Sequence, residues 1–546
     1  MTEKLDSNSA ATRSLEHQVV VARAPNVFHL AIPSRLVWLV ATLLLVFLGQ
    51  LLQSGVHLNH DVAWMTHSAR WLLDGRAFGT EVLDTNLPTA WLPSFPAAAL
   101  ANLGMSEALA VRLTVWAYFL GCAWLSFVLL AHNRRDDSAG VGWKCGVIVA
   151  ATLLPAFSFG QREHLAVMFA MPYLALAAVR LRGADVRSRW VCVGVGVVAG
   201  LGFSIKPYFL AVPLLIEVVL LLRMGWTSWR RPEAIALVAT VAAAVIFMIA
   251  VTPDYIWRTI PLVRTFYWAY DAPNFSAVLD RYWFVVQPAI FAILISLLTR
   301  TWTAHHSTML IAGLGFSISY LVQAKGFVYH AYPVLVCSTV LLAISVLVAA
   351  ASIRRHWRSS ALQMALVAAI TCLALYPVKK VHDATASWYF QHNIQWGPTG
   401  RLRQAVIDVV THYAPGKDDH FFALSTHPFP GYPTASYTKA DWSGRTPMQF
   451  MIPAYARRSE VSDSGLRREI EKAADLQRQM VLADMTQRSP AVVFVERSSA
   501  RLGLFGRQFD DIAFYLEDKQ FAALWSQYTE LAPIGPLRVF VREDVS

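Results

Sequence analysis

Two aspartates stand in settings that suit acid–base chemistry. Asp61 falls in His60-Asp61-Val62-Ala63-Trp64, just past the first long apolar run, and Asp84 falls in Asp84-Thr85-Asn86-Leu87-Pro88. An unpaired carboxylate beside apolar surface is costly, so its presence there is a site signature. Such a group can take the proton of a hydroxyl attacking an electrophilic carbon. A plainer reading is also open: Asp61 caps or opens a helix running to Gly75, and Asp84 is a turn residue.

Three short segments between apolar runs each hold a cation. They are Gly160-Gln161-Arg162-Glu163-His164, Ser204-Ile205-Lys206-Pro207-Tyr208 and Gln323-Ala324-Lys325-Gly326-Phe327-Val328-Tyr329-His330. A tight connection needs turn formers, not Lys or Arg. Snorkelling toward lipid phosphates explains any one of them. Three together, beside two carboxylates, fit one anionic ligand with an apolar tail. On that reading Arg162, Lys206 and Lys325 bind the anion, with His164 and His330 as hydrogen-bond donors. Glu163 pairs with Arg162 and holds it in place, and His60 and Tyr329 stand next in line as supporting groups. Glu217, inside an apolar run, is expected to snorkel or to pair with Arg223. His427, Asp441 and Arg445 belong to a Pro- and aromatic-rich segment that reads as a structural loop, although such a segment can also cover a site.

The elements that must position these groups are membrane spans. The chain has 546 residues, of which 55% are hydrophobic and only 15% charged, with a mean hydropathy of +0.42; that is more apolar surface than a soluble protein buries. The formal charge of +11 is carried largely by short loops, as topology signals are, and not by a nucleic-acid-binding face. Cys122, Cys145, Cys192, Cys337 and Cys372 all fall in apolar stretches without metal-ligand spacing, so they read as packing residues. Apolar runs near 35–53, 107–131, 145–159, 165–180, 190–205, 208–222, 234–251, 283–299, 308–323, 331–351 and 361–377 give about eleven transmembrane helices. Residues 1–34 are polar, too long for a signal-peptide n-region, and read as a disordered cytoplasmic tail.

Orientation follows from Arg134-Arg135, from Arg180, Arg182, Arg187 and Arg189, from Arg223 with Arg230-Arg231, and from Arg354-Arg355 with Arg358. All lie on one parity, which the positive-inside rule makes cytoplasmic. The segments 54–106, 159–164, 204–208, 252–282 and 324–330 are then outside, and so is everything after about 378. Residues 35–377 form the membrane domain and 378–546 an extracytoplasmic α/β domain. Strands are expected at 421–424, 491–495 and 537–541, with helices at 464–485 and 516–526. In the first outer loop, 54–106, His60, Trp64, His67 and Trp71 recur at helical spacing, which predicts a helix lying in the headgroup plane. A second interfacial helix is expected to end near Gly104.

The order His60-Asp61, Leu73-Asp74-Gly75, Asp84 and Asn86-Leu87-Pro88 resembles the first outer loop of the GT-C superfamily of membrane glycosyltransferases, which includes protein O-mannosyltransferases and bacterial relatives that modify lipid A. Val62 stands where those enzymes often have Glu, and Leu87-Pro88 where Pro-Pro is common. The resemblance implies a polyprenyl-phosphate-linked sugar as donor, used on the periplasmic face of a bacterial inner membrane, and a lipid, glycan or protein acceptor. Asp61 is then the base, Asp84 orients the acceptor or a sugar hydroxyl, and the cations stabilise the departing phosphate. The scheme requires no cofactor and no metal, although Asp61 and Asp84 sharing a divalent ion stays open. The rival functions are a surface-glycan ligase or polymerase, whose long outer loop should come late in the chain, and a transporter or flippase, whose ionisable groups should sit at the bilayer midplane within repeated halves.

Overall fold

A computed structural model of the chain describes residues 34–131, 138–271, 274–356, 360–383, 387–498 and 500–545. Residues 1–33, most of the expected tail, lie outside them, as do Arg134, Arg135 and Arg358. Two compact units divide the chain, Met1–Leu44 and Leu45–Ser546; the described part of the first is the leading half of the apolar helix Ser34–Ser54.

Every predicted apolar run contains a helix: Ser34–Ser54, Glu107–Leu130, Ser138–Thr152, Arg162–Leu181, Arg189–Phe203, Ala211–Met224, Pro232–Val251, Phe275–Leu298, Ala304–Gln323, Tyr332–His356 and Ser360–His382. Among the described residues seven are long and apolar enough to cross a membrane: Leu36–Ser54, Glu107–Leu130, Arg162–Leu181, Pro207–Met224, Pro232–Val251, Phe275–Leu298 and Val328–Arg354. Ser138–Thr152 and Arg189–Phe203 have 15 residues each, short of the ~20 a perpendicular span needs. Close packing offsets their shortness. A Cβ on Gly142 would lie 2.6 Å from the Ile344 Cα, and one on Gly146 would lie 2.7 Å from the Val340 Cα, so the small residues let Ser138–Thr152 and Tyr332–His356 touch backbone to backbone.

Two boundaries move functional residues. The run expected at 145–159 stops at Thr152, because the chain turns at Pro155 through a 3-10 turn at Ala156–Ser158. Gly160, at φ +74°, then reverses it into the next helix, a conformation glycine adopts at little cost. Arg162, Glu163 and His164 are therefore the first turn of a buried helix and not a loop. The run expected at 283–299 starts instead at Phe275, where the Asn274 side chain caps the helix by accepting from the Ala277 N–H at 2.9 Å. That places Arg281 within the helix.

Residues 54–106 form the helix His60–Leu73, a 3-10 stretch Pro88–Ser94 and a short helix Phe95–Asn102. The first of these is enclosed by protein along most of its length. Val62 through Ala69, together with Trp71, are buried, and the C-terminal domain covers them: Tyr432 packs edge-on against Trp64 and His67, with ring centroids 5.3 and 5.6 Å apart. The His67 imidazole bridges Glu107 (2.9 Å) and Asp441 (2.7 Å), and the Leu83 N–H donates to the Arg445 carbonyl at 2.8 Å. Asp441 and Arg445 thus tie the C-terminal region to residues 54–106; the Arg445 side chain is held by Asp484 at 2.7 Å.

The C-terminal domain is built on a five-stranded sheet: β1 His420–Leu424, β2 Asp441–Trp442, β3 Val492–Glu496, β4 Tyr528–Ile534 and β5 Leu537–Arg542. The strand order is β2-β1-β3-β5-β4, parallel across β2, β1 and β3 and antiparallel across β3, β5 and β4. The core strands β1, β3 and β5 are the three with an apolar run. The other two edge the sheet: β2 has only two residues, and β4 is largely exposed. The helix expected at 464–485 is Ser464–Arg488. The helix expected at 516–526 is Lys519–Trp525, started by the Asp518 cap. The helix Pro398–Tyr413, like the shorter Trp388–Asn393, Ile452–Ala456 and Asp511–Leu516, is not expected from the sequence.

Candidate active site

Asp61 is not the cap of its helix. Asn59 is: its side-chain oxygen accepts from the Asp61 N–H at 2.8 Å, which leaves the Asp61 carboxylate free to face a cavity of about 540 Å³. Arg162 meets that carboxylate at 3.5 Å, and the Gln161 amide donates to it at 3.2 Å. Burial pushes the Asp61 carboxyl up; the adjoining His60, Arg162 and the Gln161 amide outweigh it and hold the group below its ordinary value. Burial also holds His60 below its own ordinary value. At neutral pH, therefore, the positive charge set against Asp61 is that of Arg162.

Asp84 lines the same cavity but is 2% exposed. It accepts from the Trp64 indole N–H, from the Asn86 backbone N–H at 2.8 Å and from the Asn86 amide at 2.6 Å. It is a turn residue, as the plainer reading had it, and a wall of the cavity as well. Burial raises its carboxyl, with the Asn86 N–H, Arg162 and Trp64 opposing. Among the described residues no three His, Cys, Asp or Glu groups come together in a way that could hold a metal ion.

Tyr329, His60 and Arg162 line the cavity with the two aspartates, while His164, Lys206, His330 and Glu163 do not. His164 turns into the core, its Nδ1 accepting from the Gly160 N–H at 3.1 Å and its ring edge-on to Tyr332. Lys206 lies behind the cavity wall, donating to Glu163 at 2.6 Å, to Gln323 at 3.1 Å and to the His330 Nε2 at 3.1 Å. Glu163 is thus the partner of Lys206 rather than of Arg162: Arg162 and Glu163 are consecutive on the helix and point to different sides. Lys325 pairs with Asp271, donates to the Tyr267 carbonyl at 2.9 Å, and faces a second cavity of about 530 Å³ that shares Tyr270, Arg281, Phe327 and Leu502 with the first. Farther away, Glu217 pairs with Arg231, not Arg223, and accepts from the Tyr173 hydroxyl at 2.7 Å.

Several lining groups escaped the sequence reading. Arg281 enters because its helix starts early, and Tyr267 comes from the segment before it; burial pushes the Tyr267 phenol up to about 12. The C-terminal domain supplies Arg403 and His427. His427 is no bystander in a loop: its ring stands 4.4 Å from that of His60, and burial takes it down to about 3, so it is a neutral imidazole. For these two, the only signal in the chain was the Pro- and aromatic-rich setting of His427.

No protein-family model and no curated protein sequence matches this chain. Solved structures do. ArnT from Cupriavidus metallidurans bound to undecaprenyl phosphate aligns over 93% of this chain and 97% of its own, with a TM-score of 0.51 at 11% identity. Its apo state gives the same values. The chain has the GT-C fold. The archaeal oligosaccharyltransferase AglB from Archaeoglobus fulgidus, in complex with an inhibitory peptide and a dolichol-phosphate, aligns over 91% of this chain and 74% of its own, at 12% identity and a TM-score of 0.45. In this fold residues 60–86 form one side of the cavity, Arg162 and Arg281 near the starts of two long apolar helices form another, and the C-terminal region, with Arg403 and His427, closes it.

Proposed function

We propose that this chain is a membrane glycosyltransferase that moves a sugar from a polyprenyl-phosphate carrier to a hydroxyl of a lipid, glycan or protein acceptor. It works on the periplasmic face of a bacterial inner membrane, with about eleven spans, the amino terminus inside and residues 378–546 outside. The observation that carries this reading is the Asp61–Arg162 pair at 3.5 Å inside a cavity walled by aromatic residues.

The pair supplies both halves of the reaction. As the acceptor oxygen bonds to the anomeric carbon, the bond from that carbon to the phosphate oxygen breaks and its electrons leave with the phosphate, while the acceptor proton passes to Asp61. Negative charge grows on the phosphate in the transition state, so a fixed guanidinium stabilises the transition state more than the ground state. A donor phosphate drawn to Arg162 also competes with Asp61 for its charge. Losing that neighbour raises the carboxylate's proton affinity, so donor binding turns a depressed, unreactive carboxylate into a usable base. Arg281 is the second cation for the phosphate. Lys206, His164 and His330 are supports behind the wall, and Lys325 belongs to the neighbouring cavity. The likeness to ArnT bound to undecaprenyl phosphate supports a lipid-phosphate donor.

Two measurements test the reading. Mass spectrometry of lipid copurified with the protein should find a polyprenyl phosphate or its monosaccharide. Asp61→Asn should retain that lipid yet lose transfer by at least ~100-fold, the lower range for removing a general base. Near wild-type transfer by Asp61→Asn in membranes supplied with donor would remove Asp61 as the base; a lipid carrying a diphosphate-linked chain would favour a ligase or polymerase.

A further inference from the structure

Arg403 is a buried cation with no charge to answer it. It is 6% exposed, lines the cavity, and has two guanidinium nitrogens, Nε and Nη1, with no hydrogen-bond partner. Among the described residues no carboxylate pairs with it. A guanidinium stays protonated when buried, and leaving it uncompensated costs several kcal/mol, so the fold must hold it there. It does so firmly: Arg403 sits on the helix Pro398–Tyr413, whose first turn is pressed so tightly on the preceding chain that a Cβ on Gly400 would lie 2.0 Å from the Ile394 carbonyl oxygen. Its polar neighbour is Tyr389, whose hydroxyl accepts from the guanidinium yet leaves Nε and Nη1 without partners; Asn393, Thr399 and His427 line the same cavity and are neutral polar groups that complement an anion without neutralising the arginine.

Its position separates it from the donor cations. Arg162 and Arg281 project from the helices Arg162–Leu181 and Phe275–Leu298, both long and apolar enough to cross a membrane. Arg403 belongs to the C-terminal domain. His60 and Asp61 stand between the two walls, with Asp61 3.5 Å from Arg162 and the His60 ring 4.4 Å from that of His427, which feels the Arg403 charge. We propose that Arg403 is the anion-binding group of an acceptor subsite, so that the acceptor carries an oxyanion close to the hydroxyl it presents to Asp61. This assignment rests on the glycosyltransferase reading for the word acceptor; the anion site itself does not.

The test uses the full-length protein in detergent, with inorganic phosphate as probe and chloride at equal ionic strength as control. Phosphate should raise the melting temperature of the wild type and of Arg162→Gln beyond the chloride control. Arg403→Met should melt higher than the wild type without phosphate, because it removes a stranded charge while keeping the stem. It should show no phosphate-specific rise, and should copurify with as much polyprenyl lipid as the wild type. Arg403→Lys keeps the charge but not the fork, and should weaken phosphate binding by ~10-fold or more. A lower melting temperature or failed folding of Arg403→Met would make Arg403 a structural strut and overturn the proposal. A phosphate response that survives Arg403→Met, or loss of copurified lipid from it, would also overturn the proposal, the latter by assigning Arg403 to the donor. Absence of polyprenyl lipid from every variant, with a phosphate response that still tracks Arg403, would sink the glycosyltransferase reading and leave the anion site standing.

Discussion

Glu163→Gln should cost about 3 kcal/mol of stability, near the lower end of the 3–5 kcal/mol for stranding one member of a buried ion pair. Glu163 has no exposed surface and meets the Lys206 ammonium at 2.6 Å. Burial pulls the Lys206 ammonium down, and Glu163 is the first group opposing it. With the glutamate gone, Lys206 keeps Gln323 and His330, each at 3.1 Å, which is why the cost stays low in the range. Lys206→Met should cost more, toward 5 kcal/mol, because Glu163 then has only His330 at 3.6 Å and its Oε2 is without a partner already. The double variant carries neither charge and should be more stable than Lys206→Met alone, with an interaction energy of at least ~2 kcal/mol in a double-mutant cycle. Thermal or SDS unfolding in detergent reads the stabilities, and copurified lipid is quantified on the same samples. If Lys206 instead held the donor phosphate, Lys206→Met would lose the lipid at little cost in stability, the double variant would not recover it, and the buried-pair account would fall.

Asp84→Ala strands the Trp64 and Asn86 N–H groups and should destabilise by ~1–3 kcal/mol, whereas Asp84→Asn keeps an accepting oxygen and should be milder; equal losses in unfolding assays would contradict this. Gly160→Ala forces alanine to φ +74° with its Cβ 3.2 Å from Val62, so a loss of at least ~1–2 kcal/mol should come with reduced lipid retention, since the turn aims Arg162; unchanged retention would separate the turn from the site. His67, raised to about 9 once Glu107 and Asp441 outweigh burial, contributes stability that is fully present below its unfolded value near 6.5 and is lost as pH rises through about 9. The melting temperature should fall across that window in the wild type and stay flatter in His67→Asn; parallel curves would show that the bridge does not dock the domain. Arg281→Gln should weaken lipid retention, and full retention would restrict the donor phosphate to Arg162.

The membrane helices were legible because twenty apolar residues in a row leave the chain few alternatives, and β1, β3 and β5 because buried strands read as apolar runs. Helix ends were not: Pro155 and the Asn274 cap each shifted a boundary by several residues, and each shift changed which side chains reach the cavity. Asp61 stands out by its setting alone, yet its freedom to face the cavity depends on Asn59 taking the capping role, and both residue types cap equally well on paper. The cations show the limit most plainly. Arg162, Lys206 and Lys325 look alike as lone charges in short outer segments, but their partners come from elsewhere in the chain: Asp61 for the first, Glu163 for the second and Asp271 for the third. Whether a cation is a ligand group or half of a structural pair is decided by which carboxylate the packing brings within 4 Å, and that is a property of the tertiary fold. Arg403 inverts the case. In sequence it is one of several charges on an amphipathic helix, and only the structure shows that no carboxylate among the described residues pairs with it. A cation that packing has paired is explained by its partner. One that packing has left without a carboxylate partner, buried in the lining of a cavity, is the one a bound anion would explain.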